Sequence, residues 1–83
     1  MANKQDLKIS EARILVYLDN AAVNLKYVGA IAAKLHMDYA YLLKILKDMH
    51  EKGWLKRDKT ITKSYYFLTK LAPIEAAKEL KSK

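Results

Sequence analysis

The chain has 83 residues, a formal net charge of +7 and a pI of about 9.6. That length gives one small domain, and the charge puts a polyanionic partner first among the candidates. With no cysteine there is no disulfide, thiol nucleophile or Cys-type zinc site, and no apolar run approaches ~18 residues. Neither a membrane span nor a signal peptide is expected, which leaves the cytoplasm as the expected compartment.

Residues 1–8 are largely polar and read as a flexible lead-in, with a single domain over 9–83. A first helix is expected from Ser10, a good N-cap, with Ile9 placed to staple onto Ile14. Ile14, Leu15 and Leu18 give its buried stripe, and Val16 and Tyr17 lie at the margins. Asp19, Asn20 and Asn24 mark the loop that follows. A second helix, about Lys26 to Leu35, has Val28, Ile31, Ala32 and Leu35 on one side. Its small residues suit close packing on the next helix.

That next helix, about 39–52, organises the chain. Asp38 stands where a side-chain oxygen caps the first turn, and Gly53 stands where a left-handed residue ends the last. Leu42, Ile45, Leu46 and Met49 fall at helical spacing and define a buried face. At about 100° per residue, the opposite side carries Ala40, Lys44 and Lys47, flanked by Tyr41 and Leu43. An apolar inner face, a cationic outer face and a short preceding helix point to a helix-turn-helix.

After Gly53 the period changes to alternation. Trp54–Asp58 and Ser64–Leu68 read as two strands joined by the basic, β-branched connection Lys59–Lys63. Tyr66 and Leu68 share the expected core face, so Tyr65 and Phe67 are expected to be exposed and in need of a partner. A last helix, about 71–83, puts Leu71, Ile74, Ala77 and Leu80 on one side, with Pro73 at its first position.

Residues 30–55 resemble the helix-turn-helix of small winged-helix transcription regulators of the ArsR and MarR type. Ala32, Leu35, Met37, Asp38, Leu42, Leu46, Met49, Gly53 and Leu55 fill the pattern without a gap. His36 stands where that family often has Gly, so the turn must tolerate a side chain. Tyr66-Phe67-Leu68-Thr69 is similar to the ending of the family's wing. The resemblance implies an α+β, mostly α, winged helix: three helices, a β-hairpin wing and a fourth, C-terminal helix. It also implies transcriptional regulation, commonly by a homodimer reading two half-sites. The Lys- and Tyr-rich, Cys-free composition would suit a heat-adapted archaeon, or an archaeal virus or plasmid.

Between Lys26 and Lys70, ten Lys or Arg stand against four acids, a net of +6. The expected partner is double-stranded DNA, with the 39–52 helix in the major groove and the basic wing 59–63 on the backbone or minor groove. The expected contacts are Tyr39, Ala40, Tyr41, Leu43, Lys44 and Lys47 from the helix. Arg57, Lys59, Thr60 and Lys63 join from the wing, and Lys26 and Lys34 from the second helix. The outer helix face has no Arg, Asn or Gln, the usual readers of base edges. A protein-binding winged helix, using Leu43, Tyr65 and Phe67, and a sequence-tolerant architectural DNA binder are the alternatives. A homodimer interface is expected at Tyr17, Leu71, Ile74, Ala77 and Leu80. His36 and His50 are isolated and there is no Gly-rich phosphate loop, so no metal, cofactor, small-molecule effector or catalytic residue is expected.

Overall fold

The structure is a computed structural model that describes residues 7–81, the side chain of residue 81 excepted. In chain order it has helix α1 (Ile9–Asn20), a single 3-10 turn (Val23–Leu25), α2 (Val28–Leu35) and α3 (Tyr39–Glu51). Strands β1 (Leu55–Lys59) and β2 (Ser64–Leu68) and helix α4 (Ile74–Lys81) complete it. The described residues thus form a mostly helical α+β arrangement of four α-helices and one antiparallel hairpin.

The core is drawn from all four α-helices and both strands. Ala12, Ile14, Leu15 and Leu18 of α1, Ile31 of α2, and Leu42, Leu46 and Met49 of α3 are fully buried. Val28, Leu35, Leu55, Tyr66 and Ala77 close around them. A Leu, Ile or Met side chain buried in this way contributes about 1.5–3 kcal/mol.

The start of α1 differs from expectation. Lys8, not Ser10, is the N-cap, and Oε1 of Glu11 accepts the Lys8 backbone N–H at 3.0 Å. Ile9 is 65% exposed and makes no staple, whereas Leu7 is buried in the core. Leu7 and Lys8 therefore belong to the folded part rather than to the expected lead-in, whose residues 1–6 lie outside the described residues.

Helix α2 begins at Val28 rather than Lys26 because the hairpin claims the two preceding residues. The Tyr66 N–H donates to the Lys26 carbonyl at 2.9 Å, and Tyr27 forms an isolated antiparallel bridge with Tyr65. His36 takes the left-handed conformation, φ 55°, and turns the chain into α3. The Asp38 cap is present, its Oδ2 accepting the Tyr41 N–H at 3.1 Å. Gly53, at φ 84°, ends α3. The Trp54 N–H donates to Met49 O at 3.1 Å, and its carbonyl accepts the Thr69 N–H at 3.0 Å. Trp54 is thereby tied into the turn, so β1 starts one residue later than expected. Register runs from Leu55 opposite Leu68 to Lys59 opposite Ser64.

Helix α4 begins just after Pro73, whose carbonyl accepts the Ala77 N–H at 3.0 Å. Leu71 lies in the preceding turn and residues 82–83 lie outside the described residues, so the helix is shorter than the expected 71–83. It packs mainly along α1 of its own chain, with Ala77 fully buried and Ile74 and Leu80 half-buried against the core. A Lys78–Asp19 ion pair at 3.5 Å joins the two helices.

Candidate nucleic-acid interface

Helix α3 positions the candidate surface. Its seam of Leu42, Leu46 and Met49 turns inward, so helical geometry turns Ala40, Lys44, Lys47 and Glu51 outward. Tyr39, Tyr41 and Leu43 flank them at 54%, 51% and 40% exposure, and Lys44 and Lys47 are exposed. Among the described residues, neither lysine is held in an ion pair.

Shallow grooves run along both flanks of this helix. One of about 350 Å³ lies between α3 and the hairpin tip, with Tyr27, Tyr39, Leu43, Lys59 and Lys63 in its walls. Another, of about 330 Å³, lies between α3 and the start of α1 and is lined by Lys8, Ser10, Tyr41, Lys44 and Asp48 among others. Toward the end of α3, Lys47, His50 and Glu51 share a third groove with Arg57 of β1. Arg57 points there because it is paired with Tyr66, and directly paired residues share one face of an antiparallel ladder.

The hairpin tip is held by its own polar groups. The Thr60 N–H donates to Lys63 O at 2.7 Å, and the Lys63 N–H donates to Thr60 Oγ1 at 3.0 Å. The Lys63 ammonium sits 4.4 Å from the centre of the Tyr27 ring. Tyr65 meets Tyr27 edge-on at 5.9 Å, and the Lys26 ammonium stands 5.6 Å from the Phe67 ring. Tyr65 and Phe67, expected to be exposed, are therefore half-covered from within the chain. The segment that would have been the start of α2 supplies that cover.

Lys52 is occupied elsewhere. It binds Glu11 at 3.1 Å and Asp48 at 3.4 Å and stands 4.4 Å over the Trp54 ring. Burial pulls its pKa down, but hydrogen bonding and charge from Glu11, with Asp48 behind them, reverse this and leave it above the ordinary lysine value. Asp48 is thus partly neutralised, while Glu51 remains an acid on the outward face.

The expected contact residues divide into two groups. Tyr39, Ala40, Tyr41, Leu43, Lys44 and Lys47 gather on α3, with Arg57, Lys59, Thr60 and Lys63 on the neighbouring hairpin. Lys26 lies over Phe67, on the hairpin face opposite the one that carries Tyr66. Lys34 lines a separate groove of about 600 Å³ with Arg13, Val16, Tyr17 and Leu25.

The expected interface residues do not share one face either. Ala77 is in the chain's own core, and Leu71 is 69% exposed in the turn before α4. Tyr17 lies about 160° around α1 from Asp19, the residue that faces α4. Its hydroxyl donates to Leu25 O at 2.7 Å, and burial, helped by Tyr27, raises its pKa.

Sequence reasoning missed Lys8 and Ser10, which α1 brings beside Lys44. It also missed the Glu11–Lys52 pair, whose partners lie 41 positions apart with no periodic signal joining them. Among the described residues no three His, Asp or Glu side chains gather as a metal set, and no helix is long and apolar enough to cross a membrane. No protein-family model matches the chain, and no curated protein matches it.

Proposed function

We propose that the chain is a winged helix-turn-helix domain that binds double-stranded DNA, with α3 as the recognition helix and the β1–β2 hairpin as the wing. The observation that carries this reading is the exposed, cationic outer face of α3 lying beside a basic hairpin, with a groove along each flank of the helix. A helix about 10–12 Å across fills a major groove about 12 Å wide, so the two phosphate strands would run along those flanks. Lys44 and Lys47 would enter the groove with Ala40 allowing close approach. Tyr39 and Tyr41 hydroxyls would donate to phosphate, and Leu43 is available to a thymine methyl. Lys59 and Lys63 would hold the strand under the wing, and Lys8 and Ser10 the strand opposite.

By resemblance, such a domain regulates transcription in the cytoplasm, on the nucleoid, and is not an enzyme. The sequence-tolerant form of the same reading is favoured by one observation, the absence of Arg, Asn and Gln from the outer face of α3. The protein-binding alternative loses support because Tyr65 and Phe67 already have intramolecular partners. Fluorescence anisotropy of a labelled duplex across a salt series, with random duplex as competitor, tests the proposal. Salt-dependent binding is expected, its absence overturns the reading, and efficient competition marks the sequence-tolerant form.

A further inference from the structure

Ile61 is the most exposed of the large apolar side chains described, at 103%. Single exposed hydrophobes are ordinary on protein surfaces, but the setting of this one is specific. It stands in the Thr60–Lys63 tip, which backbone and hydroxyl hydrogen bonds pin in place. Lys59 and Lys63 flank that tip, and the Lys63 ammonium leans back over Tyr27. What the hairpin presents foremost is a rigid, cation-flanked hydrocarbon.

We propose that Ile61 is a wedge that enters the DNA minor groove beside the α3 site, partly unstacks one base step and bends the duplex. This rests on the DNA-binding reading above, narrows the two expected positions of the wing to the minor groove, and adds the side chain and the deformation. Aliphatic side chains inserted between base steps kink DNA toward the major groove, the groove assigned to α3. A β-branched side chain is stiff at χ1, so insertion costs little rotamer freedom. Lys59 and Lys63 would clamp the phosphates on either side of the opened step. The sites preferred would contain flexible pyrimidine–purine steps, TA or CA/TG, read through deformability rather than hydrogen bonds. Such readout suits a recognition helix without Arg, Asn or Gln.

The test uses the full chain and a duplex of about 25 base pairs selected from a random pool by the wild-type protein. A donor–acceptor dye pair on the ends reads the bend, and 2-aminopurine placed at successive positions reads unstacking. The wild type is expected to shorten the end-to-end distance and brighten 2-aminopurine at one step. Ile61→Ala should abolish both signals and lower affinity about tenfold, and Ile61→Met should restore them. Because Ile61 touches no core residue, circular dichroism and melting of both variants should match wild type. Normal binding by Ile61→Ala with bend and fluorescence unchanged overturns the wedge and leaves the DNA-binding reading standing. Failure of the wild type to bind any duplex in a salt-dependent way overturns both.

Discussion

Replacing Lys44 or Lys47 by alanine removes a cation from the outward face of α3 without touching the core seam of Leu42, Leu46 and Met49. Six cations stand on the proposed DNA face outside any described ion pair: Lys8, Lys44, Lys47, Arg57, Lys59 and Lys63. At a slope of about −0.9 per neutralised phosphate, all six engaged give a slope of log K against log salt of about −5.4. Raising salt from about 50 to about 200 mM should then weaken binding roughly 1,800-fold. Lys44→Ala and Lys47→Ala should each flatten the slope by about one while melting stays as in wild type. Anisotropy of a labelled duplex across the salt series measures this directly. A wild-type slope shallower than about −2 would mean that most of these lysines do not meet phosphate. An unchanged slope in both variants would remove α3 from the major groove.

Replacing both Lys59 and Lys63 by glutamine should weaken all duplexes alike, because these two side chains would touch backbone phosphates. A loss confined to one sequence in competition binding would assign base reading to the two lysines instead. Lys52→Met leaves the buried Glu11 carboxylate with only the Lys8 N–H. Because Lys52 is one-third exposed, the cost should fall to about 1–3 kcal/mol, below that of breaking a fully buried pair, read by urea unfolding. The Lys52 pKa is raised in the fold, so its contribution is complete below the unfolded value of about 10.4 and is lost as pH rises through the folded value. The stability gap between wild type and Lys52→Met should accordingly hold from neutral pH to about 10 and narrow above it. A gap unchanged at higher pH would show that the ion pair is not its source.

Local signals made much of the fold legible, and contacts distant in sequence made the remainder illegible. Asp38, Gly53 and the Leu42–Leu46–Met49 seam act within a few residues of the backbone they shape, so the extent of α3 could be read directly. The outward positions of Tyr39, Ala40, Tyr41, Leu43, Lys44 and Lys47 followed from the same periodicity. Lys26 and Tyr27, by contrast, are extended because β2 pairs with them, and β2 lies almost 40 residues away. That pairing also accounts for the cover over Tyr65 and Phe67, which alternation alone turns outward. Glu11 was hidden for a related reason. A carboxylate in a first helical turn ordinarily faces water, and only the position of Lys52 makes its burial possible. The charge count likewise included Lys52, Lys26 and Lys34, and only tertiary structure separates them from the lysines on the α3 face.

The oligomeric expectation changes most, because its premise was an uncovered apolar side on the last helix. In the structure α1 of the same chain covers that side, burying Ala77 completely and Ile74 and Leu80 in part. A stable two-fold interface needs about 800 Å² from each partner, against a total accessible surface of 5498 Å² for the described residues. Leu71 and Tyr17, the other residues expected in that interface, lie apart from the α4 surface. We therefore predict that the chain is a monomer occupying one site rather than a dimer spanning two half-sites about 34 Å apart. Sedimentation across a dilution series should give one monomer boundary, and the melting temperature should not depend on concentration, as it would if folding were coupled to dimerisation. Leu80→Lys sharpens the comparison. In a monomer it removes part of an intramolecular contact worth about 1–2 kcal/mol. It should then lower the melting temperature by roughly 5–15 °C with the sedimentation coefficient unchanged. In a dimer held by α4, the same change would shift the boundary toward monomer and weaken DNA binding. A wild-type boundary at twice the chain mass that Leu80→Lys halves would restore the dimer and refute the monomer.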